Sequence, residues 1–218
     1  PATYDFIRKV EAHFGLDLVC LRCDASAPMG GGVSPSVVPI SDIGPDLVPF
    51  RGICAKYGTP SVKTPSCTRD MKERICKKWC DSALGRQGWA MWLGIRADEP
   101  KRLRAVGSSP FCRFLAEIDD ADKRDVLDFW AAQPFDLEIP EWLGNCVFCV
   151  KKSGLKLALA AREEPGIYAE WNAMIDSAPR GNKPEGFSND DIYRSKMTLR
   201  QVVGMFSDAS TDDLRSRI

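Results

Sequence analysis

Two cysteines three positions apart, Cys146 and Cys149, follow the turn Leu143-Gly144-Asn145 and precede Val150, Lys151 and Lys152. Gly144-Asn145 supplies the backbone freedom for a turn tight enough that thiolates at this spacing address one metal centre. The pair is half a site. Cys67 lies in Thr64-Pro65-Ser66-Cys67-Thr68-Arg69-Asp70-Met71-Lys72-Glu73-Arg74, where Ser66 or Thr68 would cap a helix. A thiolate at such a helix start is stabilised by the amide dipoles. Cys67, Cys146 and Cys149 make three thiolates, enough for an iron–sulfur cluster with an open or foreign fourth position. Cys76, Cys80 and Cys54 are the candidates for a fourth ligand, and Cys76 is carried in the candidate set. Zinc is the rival metal and needs four ligands in a closed site. The competing reading of Cys76, Cys80 and Cys112 is as small buried hydrophobes, which is preferred for Cys112.

A second constellation follows the apolar run Trp89–Ile95, which suits a central strand. It ends in Arg96-Ala97-Asp98-Glu99-Pro100-Lys101-Arg102, and ligands of parallel α/β sheets collect outside the carboxyl ends of strands. Arg96, Asp98, Glu99 and Arg102 are placed to hold an anionic ligand and its polar contacts; the alternative is a solvated charged turn. The single histidine, His13, reads as an ordinary surface residue, so a histidine-based nucleophilic triad is disfavoured. Gly30-Gly31-Gly32 lacks a phosphate-binding frame and reads as plain flexibility.

The elements that must position these residues alternate. Phe6, Ile7, Val10 and Phe14 make one face of a helix over Tyr4–Phe14, Gly15 stops it, and Leu16–Leu21 reads as a short buried strand. Helix, glycine, strand is a βαβ rhythm whose first strand is missing, so the sequence is expected to begin inside a fold. Residues 24–49 read as a long loop, a lid or connector. Asp122 caps a helix to Ala132, and Gln133–Pro140 is an extended connector. Helices are predicted over Leu155–Arg162, Ile167–Ile175 and Thr198–Phe206, with a loop over 177–189 and a frayed polar end.

With 30 basic and 30 acidic residues among 218, the chain has no global field that announces nucleic acid or membrane, and any basic binding face must be local. No apolar run approaches the roughly 20 residues of a membrane span, and no signal peptide opens the chain. Nine cysteines, an odd number with a tight pair, point to thiol or metal chemistry rather than to a disulfide framework, hence to a cytoplasmic address.

Five segments occur in one order: Pro1–Ile7, Cys67–Lys72, Gly94–Glu99, Phe129–Leu137 and Leu143–Cys149. Together they resemble the phage and bacterial branch of the PAPS reductase-like, adenine nucleotide α-hydrolase (PP-loop ATP pyrophosphatase) family, over most of residues 1 to about 175. The resemblance implies a Rossmann-like parallel sheet flanked by helices, binding ATP or a PAPS-like adenine nucleotide, with sulfur transfer or sulfonucleotide reduction in relatives. It also implies an iron–sulfur cluster, [4Fe-4S], held by Cys67, Cys146 and Cys149, with Lys72, Arg96, Asp98 and Glu99 on the nucleotide side. A nucleic acid or protein would accept the sulfur, and an oligomer is possible. The expected division is a nucleotide-binding α/β domain over 1–110 and a mostly helical, cysteine-containing subdomain over 111–218. The family's opening strand and Ser-Gly-Gly-rich pyrophosphate loop are not in this sequence. The alternative is therefore a catalytically inactive, phage-type interaction protein on the same scaffold, binding a host protein or nucleic acid and keeping a structural metal site.

Overall fold

The structure, a computed structural model, describes residues 2–105, 112–178 and 192–218. In chain order its elements are α1 (Ala2–Phe14), β1 (Cys20–Asp24), β2 (Ser34–Val38), α2 (Val48–Tyr57), α3 (Ser66–Thr68) and α4 (Arg74–Ala83). There follow β3 (Met91–Leu93), α5 (Pro100–Ala105), β4 (Cys112–Phe114) and α6 (Lys123–Ala131). The last four helices are α7 (Gly154–Glu163), α8 (Pro165–Ser177), α9 (Leu199–Gly204) and α10 (Thr211–Ser216). The chain forms two compact units interleaved along the sequence: residues 1–18 with 77–138, and residues 19–76 with 139–218. The division expected at residue 110 lies outside the described residues.

The architecture is a helix-rich α/β mixture. Among the described residues the strands form two two-stranded sheets: β1 with β2 antiparallel, β3 with β4 parallel. A short connection can return a strand only antiparallel, and this is what β2 does after β1. β3 and β4 are joined through α5, the crossover length that a parallel pair requires.

In the first unit the apolar face of α1 meets α6 through aromatic edges. Phe6 lies 4.8 Å from the Trp130 ring and 5.9 Å from Phe135. Asp122 caps α6 as its position predicts, accepting from the backbone amides of Arg124 and Asp125, and Asp125 returns the bond to the Asp122 amide. Gly15 adopts a positive φ of 61°, and the Leu16 amide bonds back to the Glu11 carbonyl, closing α1. The first strand starts at Cys20 and not at Leu16, because its pairing with β2 begins at Cys20 opposite Val38.

The second unit holds the buried core. One cluster packs Phe148, Val150 and Leu157 with Trp171, Met174, Tyr193 and Leu199. A second gathers Cys23, Val33, Ile53 and Ile75 from β1, the strand approach to β2, α2 and α4. Two expectations change here. The segment 24–49 carries β2 and the start of α2 instead of being a single loop. The chain end is not frayed: Ser210 caps α10, and Leu214 is 0% exposed against Ala158 and Leu159. The predicted 177–189 loop falls mostly outside the described residues, beyond the end of α8 at Ser177.

Candidate cysteine and arginine site

Within the second unit, Cys67 sits in α3 behind Pro65, and the helix then changes character. Residues Arg69–Glu73 wind as a single π-helical stretch before α4 resumes. Such wide turns cost regular hydrogen bonding and are concentrated at functional sites. The turn brings Asp70 fully inside, at 0% exposure, while Arg69 and Lys72 stay on the surface.

The Cys146–Cys149 segment is a tight turn built as its sequence requires. Asn145 takes the left-handed conformation, φ 59°, just ahead of Cys146, and the Cys149 amide bonds to the Cys146 carbonyl at 3.2 Å. Asparagine tolerates that conformation better than most residues. Phe148 then plunges into the core, fully buried. Side chains from elsewhere bind the carbonyls of this loop. The Tyr193 hydroxyl donates to Phe148 O at 2.9 Å, Lys152 Nζ donates to Trp142 O at 2.5 Å and Val147 O at 3.2 Å, and Arg194 donates to Lys151 O at 3.3 Å. With its carbonyls bound inward, the loop is left with Cys146 exposed and Cys149 partly so.

Electrostatics ties these pieces together. Burial of the sulfur by surrounding atoms pushes the Cys146 thiol up, although the residue keeps exposed surface; Lys72 opposes the shift, Cys149 and Cys67 add to it, and Lys152 opposes it again. Cys67, Lys72, Cys146, Cys149 and Lys152 therefore share one electrostatic neighbourhood. Lys152, with its ammonium drawn among loop carbonyls, is lowered by burial to about 8, and the two thiols counter that fall. Burial also raises the Tyr193 phenol well above the usual range.

The remaining candidates sit on other elements. Cys76 packs against the Cys23, Val33, Ile53 and Ile75 cluster, and Cys54 is buried in α2. Among the described residues, no group of three or more His, Cys, Asp or Glu side chains converges on an ion-sized point. Arg96, Asp98, Glu99 and Arg102 belong to the first unit, beyond the carboxyl end of β3, and they neutralise one another. Arg96 grips Asp98 with Nε at 2.9 Å and Nη2 at 3.2 Å, and Arg102 Nη1 reaches Glu99 at 2.7 Å. The Arg96 fork holds the Asp98 carboxyl below its ordinary range, and Arg102 does the same for Glu99. Sequence reasoning passed over Asp70, Tyr193 and Lys152. Asp70 and Lys152 stood inside the quoted motifs, but nothing local marks a residue as buried. Tyr193 carried no signal, because its partners lie 22 and 45 residues away.

These features define a mixed α/β protein whose cysteine turn is packed into a helical unit. Over 211 residues the chain is 39% identical to a protein described as "Uncharacterized nin region protein ORF290" of Escherichia phage lambda, covering 95% of this chain and 72% of that protein. It belongs to the family of that phage lambda protein. The chain matches no protein-family model and no solved structure.

Proposed function

We propose that the chain is an iron–sulfur protein of PAPS reductase-like character that binds an adenine nucleotide and acts in sulfur transfer or sulfonucleotide reduction. The observation that carries this reading is the shared neighbourhood of Cys67, Cys146 and Cys149 beside Lys72 and Lys152. The donor set fits the group: three thiols and no histidine, with two ammonium groups to offset the charge of a thiolate-bound cluster. Zinc is the rival metal and would need a fourth ligand to close its site. A bound cluster would supply one-electron chemistry or an open iron for sulfur.

The chain's own residues have separate tasks. The carbonyl contacts from Tyr193, Lys152 and Arg194 fix the turn that presents Cys146 and Cys149. Lys72 offers a cation to a ligand arriving at those thiols. The nucleotide reading leans on the parallel β3–β4 pair as part of a Rossmann-like sheet, with Arg96, Asp98, Glu99 and Arg102 at its carboxyl end. A nucleic acid or protein is the sulfur acceptor in this reading. No helix among the described residues is long and apolar enough to cross a membrane; we place the protein in the cytoplasm, where nine free thiols stay reduced. Protein purified without oxygen should be brown and contain iron, and Cys146→Ser or Cys149→Ser should remove the visible absorbance. Colourless, iron-free protein from an iron-replete anaerobic preparation would sink the reading.

A further inference from the structure

Asp70 is buried without being neutralised in the simplest way. Arg69 donates Nε at 3.1 Å and Nη2 at 2.8 Å to one carboxylate oxygen, Oδ2. Arg74 places Nη1 2.5 Å from the other, Oδ1, as an ion pair, and Oδ1 accepts no hydrogen bond. A carboxylate at 0% exposure needs a countercharge, and one arginine supplies it. Here there are two, and both guanidinium groups reach solvent: Arg69 is 60% exposed and Arg74 40%. One anion under two cations leaves a surplus positive charge facing outward, with the exposed Lys72 two residues on. Arg69 Nη1, and Nε and Nη2 of Arg74, have no acceptor among the described residues.

We propose that Asp70 is a positioning residue that holds Arg69 and Arg74 as a fork for a tetrahedral oxyanion, a phosphate or sulfate group. The carboxylate holds Arg69 by two hydrogen bonds and draws Arg74 in by an ion pair, so less rotamer freedom is lost when an oxyanion takes the remaining donors. The wide π turn makes this possible. It brings the Asp70 side chain into the core while its neighbour Arg69 stays outside, and the Asp70 carbonyl is held below by Cys23 Sγ at 3.9 Å.

The test is titration calorimetry of the purified chain with inorganic sulfate, inorganic pyrophosphate and ADP. One saturable site per chain is expected, and the ranking of the three distinguishes a free oxyanion from a nucleotide phosphate. Arg69→Gln, an exposed change, should weaken pyrophosphate at least tenfold. Asp70→Asn gives a sign test. If Asp70 were only a nearby negative charge, removing it would strengthen anion binding. As a positioning residue, its loss should weaken binding by about tenfold, some 1.4 kcal/mol. Should Asp70→Asn fail to fold, Arg69→Gln and Arg74→Gln carry the test. No saturable binding of any of the three anions, undiminished affinity in Arg69→Gln, or tighter binding in Asp70→Asn would overturn the proposal. The measurement requires no iron and no colour, so its failure and that of the cluster reading are separate.

Discussion

The Tyr193 hydroxyl donates to the Phe148 carbonyl at 2.9 Å, and it accepts in turn from Trp171 Nε1 at 3.1 Å. One phenol thus ties the floor of the cysteine turn to helix α8, inside the largest buried cluster of the second unit. Tyr193→Phe keeps the ring and removes both bonds. It leaves a buried indole N–H and a buried carbonyl unpaired, which costs about 1–3 kcal/mol. Chemical denaturation should show that loss, and hydrogen exchange should quicken at residues 148–152 while the first unit keeps its protection.

Lys152 makes the turn pH-sensitive in a defined direction. Its folded-state value lies near 8, against 10.5 in the unfolded chain, with burial as the main cause. Between those values the unfolded chain binds more protons than the folded one, so this group's contribution to stability rises with pH across that window. Below about pH 8 the full cost of burying the ammonium is present. The thermal midpoint of the natural chain relative to Lys152→Met should therefore climb from pH 8 to 10. A flat difference would show that the ammonium is solvated in the folded protein.

α10 is a packing element and not a tail. Leu214 is 0% exposed and lies with Ala158 and Leu159 of α7, with Trp142, Leu155, Phe206 and Ala209 around them. Leu214→Ala should cost about 2–5 kcal/mol, as for other buried leucines, read as a shift of the denaturation midpoint. An exposed change in the same helix, Asp212→Asn, should stay within about 0.5 kcal/mol of the natural chain.

How far the sequence reached follows from what its signals measure. Period and caps are local, and they placed α1, α6, α7, α8 and α9 close to where they lie, with Asp122 as the cap of α6; Thr198, read as the first residue of its helix, is the cap of α9. Strand pairing is not local. The stretch 24–49 reads as turn-rich because Gly30–Gly32 and five prolines fall there, and that masked β2, whose pairing with β1 depends on register across the turn. α10 was missed because one leucine among six residues carries no periodicity; its burial comes from α7. In the candidate site, the Cys146 turn was legible from Gly144-Asn145, whereas its grouping with Cys67 belongs to the proposed reading. The internal pairing of Arg96 with Asp98 and of Arg102 with Glu99 could have been suspected from spacings of two and three. The burial of Asp70 could not, since a helix of regular pitch gives no reason for a carboxylate to turn inward.

That internal pairing leads to a prediction about the first unit. Arg96 and Asp98 form a two-point grip on partly exposed ground, where solvent screens the attraction. The Asp98 carboxyl is held below its ordinary value chiefly by the Arg96 hydrogen bonds. Its contribution is thus present above the unfolded-state value and lost as pH falls through the folded one. Asp98→Asn should accordingly lower stability only slightly at pH 7 and not at all at the acid end. The same change frees the Arg96 fork. If Arg96 meets an anionic ligand, Asp98→Asn should tighten ADP binding at pH 7, because the ligand then displaces no carboxylate from the guanidinium. Weaker ADP binding in Asp98→Asn would mean that Asp98 orients Arg96 for the ligand. Affinity equal to that of the natural chain would place the nucleotide away from Arg96 altogether.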